Sequence, residues 1–239
     1  RILFYLCPMS LLPLARPPSD PAKRLRARGA AHAPKGRFEP YERLWEPDGW
    51  DQAAEPEGPV PTEITLEQPR SILTRNDSPD LGFDRSVNPY RGCEHGCIYC
   101  FARPTHGFLG LSSGIDFETK IVAKPAAPEL LARELSRRGY QPAPIAIGTA
   151  TDPYQPAEAK LGIMRGLLGV LSAFNHPVAI TTRGAGVLRD LDILSEMAGR
   201  GLVHLGISLT TLDADLARKM EPRAPAPETR LRMIREATR

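Results

Sequence analysis

From about Ser71 onward the chain predicts a parallel α/β sheet or barrel, and three observations point there. Short apolar strands alternate with helical patterns at a period of about thirty residues, as expected of repeated strand–helix units. Each strand runs out into a cluster of polar residues. Three of the four cysteines sit together in the loop after the opening strand.

The elements follow in order. Ser86-Val-Asn-Pro89 suits an opening strand, and the cysteine loop follows it. Pro128 opens a helix through Leu131 and Leu135 that Gly139 can cap. After Pro144, Ile145-Ala-Ile-Gly148 is a short apolar strand. Leu161, Met164, Leu168 and Leu171 then fall at helical spacing. Val178-Ala-Ile-Thr-Thr182 is the next strand, followed by a helical pattern through Val187, Leu191, Leu194 and Ala198. Leu202 to Leu209 reads as a further strand, and Asp213 starts a helix through Leu216 and Met220. The pattern stops in mid-helix at Arg239 with about four units placed. A closed barrel would need more chain, so residues 71–239 are expected to be an incomplete core domain.

Residues 1–70 have a different texture, expected to be an extended, largely disordered arm. Eleven of the 25 prolines fall in the first 61 residues, so the excess marks a region rather than the whole chain. Residues 16–37 carry seven Arg/Lys against one acid, and residues 42–67 carry eight acids against one base. Neither run shows helical or strand periodicity. The basic run could contact nucleic acid through phosphate, although a solvated tail is the usual explanation. The chain begins with Arg1, and the apolar burst Ile2–Cys7 is interrupted by prolines, so Met9 is the expected start of translation rather than a secretion signal.

Composition sets outer bounds. The 239 residues can bury one substantial core beside a tail. A net charge of +3 is too small to imply a polyanionic partner by itself. No apolar run approaches the roughly twenty residues of a membrane-spanning helix. Four cysteines, one of them the isolated Cys7, make no disulfide framework, so a reducing compartment such as the cytoplasm is expected.

The chemistry concentrates in Cys93-Glu-His-Gly-Cys97-Ile-Tyr-Cys100. This C-x3-C-x2-C spacing offers three thiolates to one metal centre and withholds a fourth. On a four-iron, four-sulfur cluster, that leaves one iron open. The alternative is structural zinc, which wants four ligands and could recruit His95 or His106. Polar residues also gather where the strands end: Thr149-Ala-Thr151-Asp152, Thr181-Thr182-Arg183 and Ser208-Leu-Thr210-Thr211. In parallel α/β folds chemistry collects at these ends. Asp152 also suits a turn before Pro153, and Arg183 a surface position.

With Tyr99 immediately before the last cysteine, the motif resembles the cluster loop of the radical S-adenosylmethionine (SAM) enzymes. Its surroundings resemble the branch containing spore photoproduct lyase and uncharacterised bacterial relatives. The matching stretches are Asn88-Pro-Tyr-Arg-Gly-Cys93, Thr151-Asp-Pro-Tyr-Gln-Pro-Ala-Glu158, Ile180-Thr-Thr-Arg183, Gly206-Ile-Ser-Leu-Thr210 and Glu221-Pro-Arg-Ala-Pro225 with Arg230. The resemblance implies a partial (β/α)6 barrel, truncated at its C-terminus, with a [4Fe-4S] cluster on Cys93, Cys97 and Cys100. It implies that SAM chelates the open iron and is split to a 5′-deoxyadenosyl radical, with an electron from a reductant such as a flavodoxin or ferredoxin. Arg183 would then pair with the SAM carboxylate, Thr151 and Asp152 accept from its ammonium, and Ser208 and Thr210 meet the ribose. Tyr99 would lie against the adenine, chiefly through its backbone. No catalytic residue is assigned, and the substrate stays open. In spore photoproduct lyase a cysteine on the strand before the threonine/serine–aspartate pair returns hydrogen to the product. Here no cysteine follows Cys100, so lyase-like chemistry would have to finish differently. The reading from another class is a zinc- or cluster-binding module that contacts nucleic acid.

Overall fold

A computed structural model describes residues 28–30, 34 and 60–238. Cys7, the Met9 start and most of the basic and acidic runs lie outside these residues. Two sheets form the framework. The larger has five strands in the order β2 (Leu73–Arg75), β3 (Arg85–Val87), β6 (Ile145–Ile147), β7 (Val178–Thr182), β8 (Val203–Ile207). β3, β6, β7 and β8 are parallel, and β2 runs antiparallel on the edge beside β3. Val87, Ile147, Ile180 and Leu205 stand side by side in register across the four parallel strands. The smaller sheet has the order β1 (Glu63–Leu66), β5 (Lys120–Ala123), β4 (Tyr90–Arg91).

The helices are α1 (Asp116–Thr119), α2 (Ala127–Leu135), α3 (Glu158–Leu161), α4 (Ile163–Ala173), α5 (Leu191–Gly199), α6 (Ala214–Met220) and α7 (Pro227–Ala237). Short 3₁₀ turns span residues 103–109 and 185–190. Strand β6 is buried on both faces, as β-branched residues in a parallel sheet should be. Its Ile145 and Ile147, with Val178 and Ile180 of β7, belong to one core with Leu131 of α2, Leu167 and Leu171 of α4 and Met197 of α5. Burying each such side chain contributes about 1.5–3 kcal/mol relative to leaving it in water. Because the strands are parallel, their carboxyl ends share one edge, and the loops after β3, β6, β7 and β8 meet there.

The four parallel strands match the expected ones closely, whereas β1, β2, β4 and β5 were not foreseen; a mixed α/β fold with a parallel sheet is what the structure shows. The helical readings are refined. The stretch through Leu161 and Leu171 is two helices, because Gly162 adopts φ +64° and ends the first while the Glu158 carboxylate accepts from the Ile163 and Met164 amides (3.1 and 3.0 Å) to cap the second. The stretch through Val187 and Ala198 begins as a 3₁₀ turn in which buried Asp190 accepts from Tyr154, Arg165 and Arg189. Asp213 caps α6 as expected, accepting from Asp215 and Leu216 (2.9 and 3.0 Å).

The expected arm reaches into the fold. Glu63–Leu66 pairs in parallel with β5, from Glu63 opposite Lys120 to Leu66 opposite Ala123. Further upstream, Arg28-Gly29-Ala30 lies on the cysteine loop. The Gly29 and Ala30 amides donate to the buried Glu118 carboxylate (2.9 and 2.8 Å), and Arg28 donates to the Glu118 and Val60 carbonyls (2.9 and 2.6 Å). These pairings join residues 32 or more apart in sequence, so no local periodicity announces them.

Candidate active site

The loop that carries the cysteines is held by polar bonds from every side. Asn88, just after β3, ties its strand end to that of β6: its Oδ1 accepts from the Ala150 amide (3.1 Å) and its Nδ2 donates to Thr149 Oγ1 (3.1 Å). Gly92 has φ +79°, and a Cβ there would sit 2.8 Å from the Phe117 carbonyl, so only glycine fits. Its carbonyl accepts from Thr151 Oγ1 (2.6 Å) and Gln155 Nε2 (3.2 Å). Gln155 also accepts from the Glu94 amide (3.0 Å). On the other flank the Arg103 guanidinium donates twice to the Cys97 carbonyl (3.1 and 2.9 Å) and once to Glu118 (2.6 Å).

Cys93 and Cys97 are buried, Cys100 is half-buried, and none is in a disulfide. All three line one pocket at the carboxyl edge of the sheet. Thr151 and Asp152 from the β6 end, Arg183 from the β7 end and Ser208 from the β8 end line the same pocket. Burial pushes the Cys97 thiol up to about 12 despite the neighbouring Arg183, and burial raises Cys100 as well.

Arg183 spans the pocket. One guanidinium nitrogen meets the Cys97 sulfur, the other donates to Ser208 Oγ (3.2 Å), and Glu221 stands 3.4 Å away. Burial works against its charge, but Cys97, Tyr99 and Glu221 hold the guanidinium firmly protonated. Asp152 lies behind it. Its carboxylate accepts from Thr182 Oγ1 (2.6 Å), the Tyr154 amide (2.9 Å) and the Arg183 amide (2.8 Å), with His95 Nδ1 at 3.4 Å. Burial would raise the Asp152 carboxyl; His95 and these donors hold it well below the usual carboxylate range. Asp152 therefore fixes the start of the loop after β7, and Thr151 fixes the cysteine loop, while both face the pocket.

Tyr99 and Thr210 do not line that pocket but meet at its rim. Their hydroxyls are 3.0 Å apart, and both bond to Glu221, Thr210 at 2.7 Å. Burial pushes the Tyr99 phenol up to about 12. Glu221 is fully buried and pairs on its other oxygen with buried Arg230. Burial alone would raise its carboxyl, yet Arg183, Tyr99 and Arg230 draw it below the ordinary value. Glu221 and Arg230 fall within a stretch that matches the family, but the sequence alone gave them no role. Of the two histidines considered as zinc ligands, His95 lies between Asp152 and Cys93, with Nδ1 3.4 Å from the carboxylate, and His106 donates to the Lys120 carbonyl (2.9 Å) with its ring edge-on to Phe117. Neither lines the pocket of the thiols.

Comparison with known proteins agrees with this geometry. Residues 87–239 match the sequence profile of the radical SAM superfamily. Over 154 residues the chain is 42% identical to an uncharacterized protein of Mycobacterium tuberculosis, covering 64% of this chain and 45% of that one. It is 23% identical over 145 residues to an uncharacterized protein of Methanocaldococcus jannaschii, covering 61% and 51%. Among solved structures, spore photoproduct lyase complexed with dinucleoside spore photoproduct superposes with a TM-score of 0.55 at 13% identity, over 73% of this chain and 47% of that one. A point mutant of the same lyase gives a TM-score of 0.55 at 14% identity over the same shares. At such identity the likeness speaks for the fold, and the chain spans about half the length of these relatives. Three thiols at the carboxyl edge of a parallel sheet, inside a segment that matches the profile from its first strand onward, place this chain in the radical SAM superfamily.

Proposed function

We propose that the chain holds a [4Fe-4S] cluster on Cys93, Cys97 and Cys100 and cleaves SAM reductively. The observation that carries this reading is the single pocket lined by three unpaired thiols together with Arg183. The residues fit the group. Iron displaces the protons of the thiols it binds, so the Cys97 and Cys100 thiols, raised by burial, would be held as thiolates by the metal. Three sulfurs leave one iron of a cube without a protein ligand. When bound, the cluster supplies the electron that breaks the sulfonium bond of SAM, giving methionine and a 5′-deoxyadenosyl radical.

The protein's own residues bind and orient. Arg183 offers a forked cation to the SAM carboxylate, held in place by the Asp152 carboxylate beneath its amide. Thr151 and Asp152 shape the wall at the amino end. Ser208 and Thr210 at the end of β8 suit ribose hydroxyls, and Tyr99 the adenine. Ala102 and Phe117, buried against the cysteines, exclude water from one side. The electron would come from a reductant such as a flavodoxin or ferredoxin in a reducing, cytoplasmic setting. Spore photoproduct lyase has been solved complexed with dinucleoside spore photoproduct; here the strand end before Thr151-Asp152 reads Ile147-Gly-Thr-Ala150 with no cysteine, so a thiol at that place would not finish the reaction. The chain's substrate class stays open, with nucleic acid among the options.

The test is anaerobic reconstitution with iron and sulfide, followed by dithionite and SAM. A brown protein with near-stoichiometric iron and sulfide that releases 5′-deoxyadenosine supports the reading. Preferential uptake of zinc, or a full cluster that yields no 5′-deoxyadenosine, would overturn it.

A further inference from the structure

We propose that Glu221 is the positioning residue of this pocket, one buried carboxylate that sets where Tyr99, Thr210 and Arg183 stand before SAM arrives. The inference rests on the SAM reading above. Glu221 ends α6 and has no exposed side-chain surface. Its Oε1 accepts from the Tyr99 hydroxyl and from Thr210 Oγ1 (2.7 Å) and lies 3.4 Å from Arg183. Its Oε2 pairs with Arg230. Both oxygens of the carboxylate are thus engaged, Oε1 by two hydroxyls and a nearby guanidinium and Oε2 by Arg230.

The partners on Oε1 come from three separate segments: the cysteine loop, the end of β8 and the end of β7. They are also three of the groups assigned to SAM, to its adenine, ribose and carboxylate ends. A single oxygen thus fixes their spacing relative to one another. Arg230 secures the carboxylate from behind. Its Nε donates to the Pro225 carbonyl (2.9 Å) and its Nη1 to the Ser208 carbonyl (3.1 Å), so the anchor also grips the β8 end. Glu221 does not line the pocket. Its negative charge, exposed there, would repel the SAM carboxylate; buried and paired, it orients Arg183 without meeting the ligand. It acts through its neighbours.

The experiment measures equilibrium SAM binding by the reconstituted protein as wild type, Glu221→Gln, Tyr99→Phe and the double variant, with iron content and thermal melts in parallel. Glu221→Gln should keep its iron and bind SAM about tenfold more weakly, the scale of one lost charge-assisted hydrogen bond. Tyr99→Phe should weaken binding less and add little on top of Glu221→Gln, because its hydroxyl works through that carboxylate. If Glu221→Gln melts early or loses iron, Tyr99→Phe combined with Thr210→Val removes the two hydroxyl bonds to Oε1 and leaves the ion pairs with Arg183 and Arg230 whole; severalfold weaker SAM binding is then expected. Unchanged affinity in folded, iron-replete variants, or fully additive effects of Glu221→Gln and Tyr99→Phe, overturns the inference alone. A wild-type protein that takes up a full cluster and binds no SAM overturns the functional reading and this inference with it.

Discussion

Alanine at Gly29 is expected to detach the upstream segment from the cysteine loop. A Cβ built on Gly29 would lie 1.8 Å from the Gly96 carbonyl oxygen. Both sides of that clash are backbone, so no rotamer relieves it and residues 28–30 must move. Two hydrogen bonds to the Glu118 carboxylate are then lost, together worth about 3–6 kcal/mol at the usual value for charged acceptors. Freeing three residues returns about 1–2 kcal/mol each, so these two contributions nearly cancel. What remains is the anchoring by Arg28, with its bonds to the Glu118 and Val60 carbonyls and Thr62. At about 1 kcal/mol per bond these three hold the segment by roughly 3 kcal/mol. Tryptic cleavage after Arg28, followed at that bond by mass spectrometry, should therefore accelerate by about 100-fold in Gly29→Ala. The melting temperature should move by only a few degrees, because the core is untouched. Glu118→Gln should shift cleavage in the same direction. Gly199→Ala, whose methyl meets nothing within 4 Å, should leave it alone. Equal cleavage rates for wild type and Gly29→Ala would refute the docking of this segment.

Three further outcomes follow from the site and the core. Alanine at Cys93, Cys97 or Cys100 should each abolish cluster assembly by iron and sulfide content; a full cluster in any single variant would reassign a ligand to His95 or His106. Arg183→Met should weaken SAM binding about ten- to a hundredfold, from the loss of about 1.5–3 kcal/mol of charge-assisted bonding, with iron retained; unchanged affinity would remove Arg183 from the site. His176 is held neutral, its Nδ1–H donating to the Pro177 carbonyl (2.9 Å) and its Nε2 accepting from Tyr140 (2.8 Å), and burial, with Arg85 nearby, lowers its pKa. Between that lowered value and about 6.5 the unfolded chain binds the extra proton, so this stability is complete above about pH 6.5 and is lost as pH falls. His106 is lowered in the same direction, so melts from pH 7.5 to 5.5 should compare wild type with His176→Gln, which keeps only part of the slope; identical slopes would count against the assignment.

What the sequence displayed and what it concealed divide along the range of the interactions. Ile145-Ala-Ile147 and Val178–Thr182 were legible because β-branched runs after a proline carry their own conformational preference. The cysteine spacing was legible because one loop delivers all three sulfurs. Glu63–Leu66 was not, since its pairing with β5 is decided by a partner 57 positions away. Gly162 breaks a pattern that apolar spacing alone carries straight through. Thr151 and Asp152 were found as pocket residues, but not the bonds that tie them to Gly92, Thr182 and the Arg183 amide. Glu221 and Arg230 escaped because an acid and a base nine residues apart across a proline turn match no helical or strand period. The available signal was the charge of Arg183 itself, which at a buried strand end demands a counter-charge.

That demand explains how the cysteine loop is built. From Arg91 to Cys100 half of its residues are Arg, Gly, Glu or His, and its large side chains Ile98 and Tyr99 stay exposed, so packing alone does not pin it. Buried carboxylates bracket it instead. Glu118 holds Arg103, which grips the Cys97 carbonyl, and Glu94 joins Arg223 (2.9 Å) to Thr62 (3.0 Å). Asp152 faces His95, and Glu221 binds Tyr99. An unpaired buried carboxylate would cost several kcal/mol, so each bond that satisfies one also immobilises a segment of the loop. Removing one partner should therefore loosen the cysteines before it melts the sheet, because Ile147, Ile180 and the helices behind them share none of these charges. The thiols stand on an electrostatic mount carried by an apolar frame.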